Sequence, residues 1–205
     1  METDTVLAQA RLARFGAGDQ IVAKGDPGES MMAVLQGQVS IGVPSPDGRQ
    51  VVLSVLRSGD VFGEIAMLDG KERTADATAI TGCEILVIPR HALWRLLERR
   101  LDLCIDLMLV LCDRLRHTNE QVEDLAFLDL QSRMAKVLLR LLTDSNEHHE
   151  RLVVRISQRA LGDLAGGSRE SINKHLNAWK ESGIVSIEKG AVVIRDITAL
   201  MECAQ

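Results

Sequence analysis

The chain has 205 residues, a formal charge of −5, 46% hydrophobic and 26% charged residues, the balance of a globular protein with room for one large core or two small ones. Aromatic residues make up only 2%, which excludes a single-strand nucleic-acid binder that stacks bases on aromatic rings. No apolar run is long enough to span a membrane, METDTVLAQARL lacks the character of a secretory signal, and the four cysteines form no CxxC pair, so a cytoplasmic protein with reduced thiols and no metal cage is expected.

Eleven of the 16 glycines and all four prolines lie before residue 90. Glycines recur there at 25, 37, 48, 59, 70 and 82, and the segments between them are rich in Val, Ile and Leu. Strands are predicted at Gln20 to Ala23, Met31 to Leu35, Gln38 to Val43, Gln50 to Leu56, Thr74 to Ile80 and Glu84 to Ile88. Short strands at that interval suggest an antiparallel sandwich or barrel. Pro44 to Gly48 (PSPDG) reads as a hairpin loop, since Pro presets φ and Gly permits a positive φ.

After Pro89 the period changes. Leu101, Met108, Leu115 and Val122 are spaced by seven, and Cys104, Leu111, Thr118 and Leu125 form a second such series displaced by three. These are a and d positions of a heptad, the pattern of a two-helix seam. A parallel homodimer would cover the stripe; packing on the strand region is the other possibility. Thr118 is a polar member of an apolar seam, costly unless it finds a hydrogen-bond partner.

The third region begins near Asp129. A helix is predicted over Ser132 to Leu142, then a polar loop whose His148 and His149 read as solvated rather than metal-bound. Ser157 can cap a short helix through Leu164, Gly166 and Gly167 break it, and Ser168 can cap a second helix with Glu170 in its first turn. Ile172, Leu176 and Trp179 form the buried face of that helix, which Ser182 and Gly183 end. Two short helices around a tight Gly turn outline a helix-turn-helix. The tail IVSIEKGAVVI alternates and turns at Lys189-Gly190, as a β-hairpin wing would. Residues 1–128 carry 13 Lys and Arg against 19 Asp and Glu, whereas residues 129–205 carry 11 against 10. The second segment is therefore the candidate for a polyanionic partner.

The densest chemistry lies in Phe62-Gly63-Glu64-Ile65-Ala66, followed by Arg73-Thr74-Ala75. A glycine lets backbone approach a ligand closely. One Arg offers a fork to a phosphate, and a carboxylate accepts from a free hydroxyl but repels a polyphosphate. A 3′,5′-cyclic nucleotide has one phosphate charge and a free 2′-hydroxyl. On the residues alone, a structural Glu64–Arg73 ion pair fits equally well.

GEIAMLDGKERTA resembles the phosphate-binding cassette of cyclic-nucleotide-binding domains. LRHTNEQVEDLAFLDLQSRMAKVLL followed by GGSRESINKHL is similar to the dimer helix, hinge and DNA-reading helix of the Crp/Fnr family. The likeness runs from about Phe15 to Ile194, with three motifs in family order. It implies an α+β fold: an antiparallel, jelly-roll-like β-roll with a dimerisation helix at about 101–128 (domain 1–128) and a winged helix-turn-helix (domain 129–205). It implies that Glu64 takes the ribose 2′-hydroxyl and Arg73 and Thr74 the cyclic phosphate, with Gly63, Ile65, Ala66 and Ala75 completing the site. Thr118 would bond the purine in its own subunit and Asn119 the base held by the partner. Many relatives have Ser at the position of Asn119, so that base contact is altered here.

The implied effector is cAMP, with cGMP the alternative because Thr74 also occurs in domains that prefer it. Arg169, Glu170 and Lys174 would read bases: Arg169 can fork onto guanine and Glu170 can accept from cytosine N4. Lys174 replaces an Arg of the best-known member, which alters the third contact. Ser168, Ser171, Arg155 and Arg159 would hold phosphates. The expectation is a non-enzymatic homodimeric regulator of palindromic double-stranded DNA that works with RNA polymerase. The alternatives are a ligand-independent or redox-responsive relative, or a cyclic-nucleotide-gated regulatory subunit of an enzyme.

Overall fold

A computed structural model of the chain describes residues 9–44, 50–143, 152–188 and 190–205. It divides into two compact units, Met1–Leu115 and Arg116–Gln205, with the boundary inside one long helix. The first unit contains β1 (Arg11–Phe15), β2 (Gln20–Val22), β3 (Ser30–Gln36), β4 (Val39–Pro44), β5 (Gln50–Leu56), β6 (Val61–Phe62), α1 (Glu64–Asp69), β7 (Asp76–Ala79), β8 (Cys83–Pro89) and α2 (Arg90–Leu97). It also holds the first half of α3 (Leu101–Phe127).

The eight strands form two four-stranded sheets, ordered β1-β8-β3-β6 and β2-β7-β4-β5, with every pairing antiparallel. Alternation sets what each strand buries. On β8, Cys83, Ile85 and Val87 are buried while the residues between them are half-buried. Met32, Val34 and Phe62 of one sheet meet Val39, Leu56, Ala77 and Ala79 of the other in a single core. Each large apolar side chain so buried contributes about 1.5–3 kcal/mol. A slip of one residue would turn the whole set outward, so the register is strongly specified. Met31, one residue before Met32, faces the other way and joins Met67, Leu93, Leu97 and Leu107 in a second cluster that seats α1, α2 and α3.

All six predicted strand segments are present. Strands β1 and β6 escape a pattern of apolar runs between glycines. The first is an edge strand carrying two arginines and the second has only two residues. The β4–β5 pairing ends at Pro44↔Gln50, and the rest of the PSPDG loop lies outside the described residues, as do His148, His149 and Lys189.

On α3 the predicted stripe is left largely open. Leu101, Met108, Leu115 and Val122 of the first series are all exposed, whereas Cys104 of the second series turns inward with Leu103 and Leu107. Within the first unit, the cluster around Met31 and Met67 covers Cys104 but leaves Leu101, Met108 and Leu115 open.

The second unit continues with α4 (Leu130–Thr143), β9 (Val153–Val154), α5 (Gln158–Ala165), α6 (Arg169–Glu181), β10 (Val185–Glu188), β11 (Ala191–Ile194) and α7 (Ile197–Glu202). The strands form an antiparallel sheet ordered β10-β11-β9. Met134, Leu138, Leu161, Ile172, Leu176, Trp179, Val192 and Leu200 share one core. Helix α4 starts two residues before Ser132 because Asp129 accepts the Ser132 N–H at 2.8 Å and caps it. Helix α7, unforeseen, starts where Asp196 accepts the Ala199 N–H at 2.9 Å.

Candidate functional site

The pocket residues are gathered by the turn from β6 into α1 and by the approach to β7. Gly63 caps α1 with φ +80°, and a Cβ there would sit 2.4 Å from Arg73 Nη1. Only glycine permits both this backbone and this approach. Arg73 Nη1 donates to the Gly63 carbonyl at 3.0 Å, and Nη2 to Ser30 Oγ at 3.0 Å. The Arg73 backbone is pinned as well: its N–H donates to the Asp26 carbonyl at 2.8 Å, and its carbonyl accepts from Gly25 N–H at 2.9 Å. Burial pulls the guanidinium's pKa below its ordinary value, and the charges of Asp26 and Glu64 oppose that shift.

Glu64 is 1% exposed. Its partner is Arg114 of α3, which ion-pairs with Glu64 Oε1 and also donates to the Val61 carbonyl. The Glu64–Arg73 ion pair that the sequence left open is thus replaced by two separate arrangements, with Glu64 held by Arg114 and Arg73 held by Gly63 and Ser30. No motif marks Arg114. It stands beside the a-position Leu115, where a charge reads as an ordinary seam-flanking residue.

Two buried polar atoms here have no hydrogen-bond partner: Glu64 Oε2, an acceptor, and Arg73 Nε, a donor. Beside them Ala66 is buried, Ala75 half-buried, and Ile65 and Thr74 exposed. Thr118 and Asn119 are exposed on α3, about one turn beyond Arg114.

In the second unit, α5 and α6 are capped as predicted. Ser157 Oγ accepts from Ala160 N–H at 3.1 Å and Ser168 Oγ from Ser171 N–H at 3.1 Å. The turn between them is braced by α4, a feature with no sequence signal of its own. Arg133 Nε donates to the Ala165 carbonyl at 2.9 Å and Nη1 to the Leu128 carbonyl at 2.7 Å. Leu130 packs so closely that a Cβ on Gly167 would lie 2.6 Å from its Cδ1.

Ile172, Leu176 and Trp179 anchor α6 in the core, Glu170 and Lys174 lie on the opposite face, and Arg169 is the first residue of the helix. These three are exposed, and their side chains have no hydrogen bond or ion pair among the described residues. Ser168 and Ser171 are half-buried at the start of the helix, and Arg155 and Arg159 are exposed. A capped helix with free charges on one face and an apolar back can enter a groove and read base edges.

Residues 12–100 match the family model of the cyclic nucleotide-binding domain, and residues 132–203 that of the Crp-like helix-turn-helix domain. A CRP-like cAMP-activated global transcriptional regulator of Mycobacterium tuberculosis is 34% identical over 194 residues, 93% of this chain and 87% of that protein. The chain belongs to the Crp/Fnr family of transcriptional regulators.

A second member of the family, the cAMP-activated global transcriptional regulator Vfr of Pseudomonas aeruginosa, is 31% identical over 93% of this chain and 92% of that protein. Among solved structures, the c-di-GMP-responsive global regulator CLP of Xanthomonas campestris superposes with a TM-score of 0.84 at 26% identity, covering 95% of this chain and 98% of that one. A CRP/FNR-family regulator of Thermus thermophilus gives 0.80 at 28%, over 95% and 98%. As a Crp/Fnr regulator this chain binds DNA and forms dimers, and its first unit is a cyclic-nucleotide-binding β-roll. Among the described residues no helix is long and apolar enough to cross a membrane.

Proposed function

We propose that this regulator is switched by cAMP and then reads a palindromic DNA site as a homodimer. The observation that carries the ligand is the pair of orphaned atoms in the pocket. A buried acceptor and a buried donor without partners cost about 1–3 kcal/mol each, and one ligand relieves both. A ribose 2′-hydroxyl donates to Glu64 Oε2, and a cyclic phosphate accepts from Arg73 Nε. Gly63, Ile65 and Ala66 at the turn into α1, with Thr74 and Ala75 just before β7, offer backbone N–H groups and one hydroxyl to that phosphate.

Thr118 and Asn119 meet the purine from the seam of the dimer, Thr118 within its own subunit and Asn119 across it. Arg114 joins the carboxylate of the pocket to the same helix. The ligand shifts the dimer only by its differential affinity for the two states. In the binding state the two α6 helices enter major grooves about 34 Å apart. Arg169 forks onto guanine, Glu170 accepts from cytosine, Lys174 supplies the third base contact, and Ser168 and Ser171 hold phosphates. Such a regulator acts in the cytoplasm, with RNA polymerase as its further partner.

The c-di-GMP responsiveness of the Xanthomonas relative supplies a second reading, and cGMP a third. The lone buried guanidinium favours a ligand with a single phosphate over a cyclic dinucleotide with two. Calorimetric titration of the full chain with cAMP, cGMP and c-di-GMP, followed by a DNA-binding titration at stated salt, tests the proposal. Heat with cAMP and a ligand-dependent shift of palindromic DNA are expected. Heat with neither mononucleotide overturns it.

A further inference from the structure

Within the pocket as read above, the charge that meets the phosphate is itself held in place, and its holder lies far from the cassette in sequence. Ser30 opens β3, where its backbone pairs with Pro89 of β8. Its hydroxyl accepts from Arg73 Nη2 at 3.0 Å while the Gly63 carbonyl accepts from Nη1 at 3.0 Å. With the backbone of Arg73 fixed to Gly25 and Asp26, both ends of the guanidinium are tethered to rigid elements. The Nε edge is left without a partner. A planar guanidinium fastened at both Nη atoms can present only one edge.

We propose that Ser30 is a positioning residue for cyclic-nucleotide recognition: by holding Nη2 it aims the Nε edge of Arg73 at one exocyclic oxygen of the ligand phosphate. Ser30 does not touch the nucleotide in this role. It acts through Arg73, much as the outer partner of a metal ligand fixes the ligand's orientation. The two exocyclic oxygens of a cyclic phosphate differ only in direction. An Arg fixed in one orientation distinguishes them, and an Arg free to swing does not. Ser30 thus sets stereochemical selectivity as well as affinity.

The inference rests on the cyclic-nucleotide reading, and its test separates the two. Dissociation constants of the full-length wild type, Ser30→Ala and Ser30→Thr are measured with cAMP and with its Sp and Rp phosphorothioates, which place sulfur at one or the other exocyclic position. Thermal unfolding of each variant runs alongside. In Ser30→Ala the affinity for cAMP is expected to fall about 10-fold, and the ratio of the two phosphorothioate constants to move toward one. Ser30→Thr, which returns a hydroxyl and suits a strand, is expected to restore both within about threefold.

Equal loss for both diastereomers, with the ratio unchanged, would mark Ser30 as a structural residue and overturn the proposal. So would wild-type affinity in Ser30→Ala. A wild type that takes up no cyclic nucleotide would overturn the pocket reading and this role with it.

Discussion

In the pocket, Glu64 and Arg73 are 1% and 6% exposed, and each is gripped by other parts of the first unit: Arg114, Gly63, Ser30 and the backbone of Gly25 and Asp26. On α6, Arg169, Glu170 and Lys174 stand in solvent, and only the apolar back of the helix is anchored. The difference follows from ligand size. A small ligand with one charge must be met by side chains already desolvated and aimed, because it brings little surface to compensate their ordering. Duplex DNA brings its own dense field and many contacts, so its readers can remain hydrated until the encounter. Function and stability are therefore fused in the pocket and separable on α6.

The largest expected effect tests the fused side. Arg73→Gln removes the buried cation proposed to meet the phosphate, and cAMP affinity should fall by about 100-fold, the worth of one strong charge-assisted hydrogen bond. Because Gly63 and Ser30 lose their donor as well, Tm should change too. On the separable side, Arg169→Ala should weaken binding to the cognate palindrome by about 1–3 kcal/mol and relax selectivity at one base pair per half-site. Its Tm and dimerisation should match the wild type. A gel shift unaltered by Arg169→Ala, or a clear loss of stability in that variant, would break the comparison.

How much of this was legible follows the same division. The cassette lies within one short stretch, and the caps of α5 and α6 are contacts between a residue and the third one after it. Local chemistry therefore reveals both, down to Ser157 and Ser168. The wing and the two-sheet core are legible because alternation and glycine punctuation are also local. Arg114, Ser30 and Arg133 are not, for each acts on a part of its unit distant in sequence and none belongs to a pattern of its own. Arg114 is hidden further by its place beside an apolar stripe, where a charge is expected anyway. Sequence thus names the groups proposed to meet ligand and DNA, and tertiary structure names the groups that hold them.

A holding group sharpens the contrast from within the pocket. Arg114→Ala leaves the Glu64 carboxylate buried with neither oxygen partnered. The first unit should lose about 2 kcal/mol, a value kept low because Arg114 is itself one-third exposed. Thermal unfolding checks the loss. Adding Glu64→Gln to Arg114→Ala should recover part of the stability by removing the buried charge, but not the cAMP affinity, since an amide oxygen is a weaker acceptor for the ribose hydroxyl. Recovery of both would mean that the carboxylate serves the fold alone.

The smallest effect concerns a group midway between the two cases. Asp163 of α5 is half-buried in the DNA-binding unit. Burial raises its pKa above the ordinary carboxylate value, with the charge of Arg159 opposing the shift. A carboxyl whose pKa is higher in the folded state contributes stability that is fully present below the unfolded value, about 3.9, and is lost as pH rises through the folded value. At neutral pH the wild type therefore carries a small penalty that Asp163→Asn removes. Its Tm should rise by about a degree or two at pH 7, and the gain should fade as the pH is lowered below the carboxylate range. A Tm that instead falls at pH 7 would mean that the carboxylate earns more by holding Arg159 than it loses to burial. In that case a charge of the DNA-binding unit would be tied to its fold as Glu64 is to the pocket, and the separation of reading from stability would stop at the face of α6.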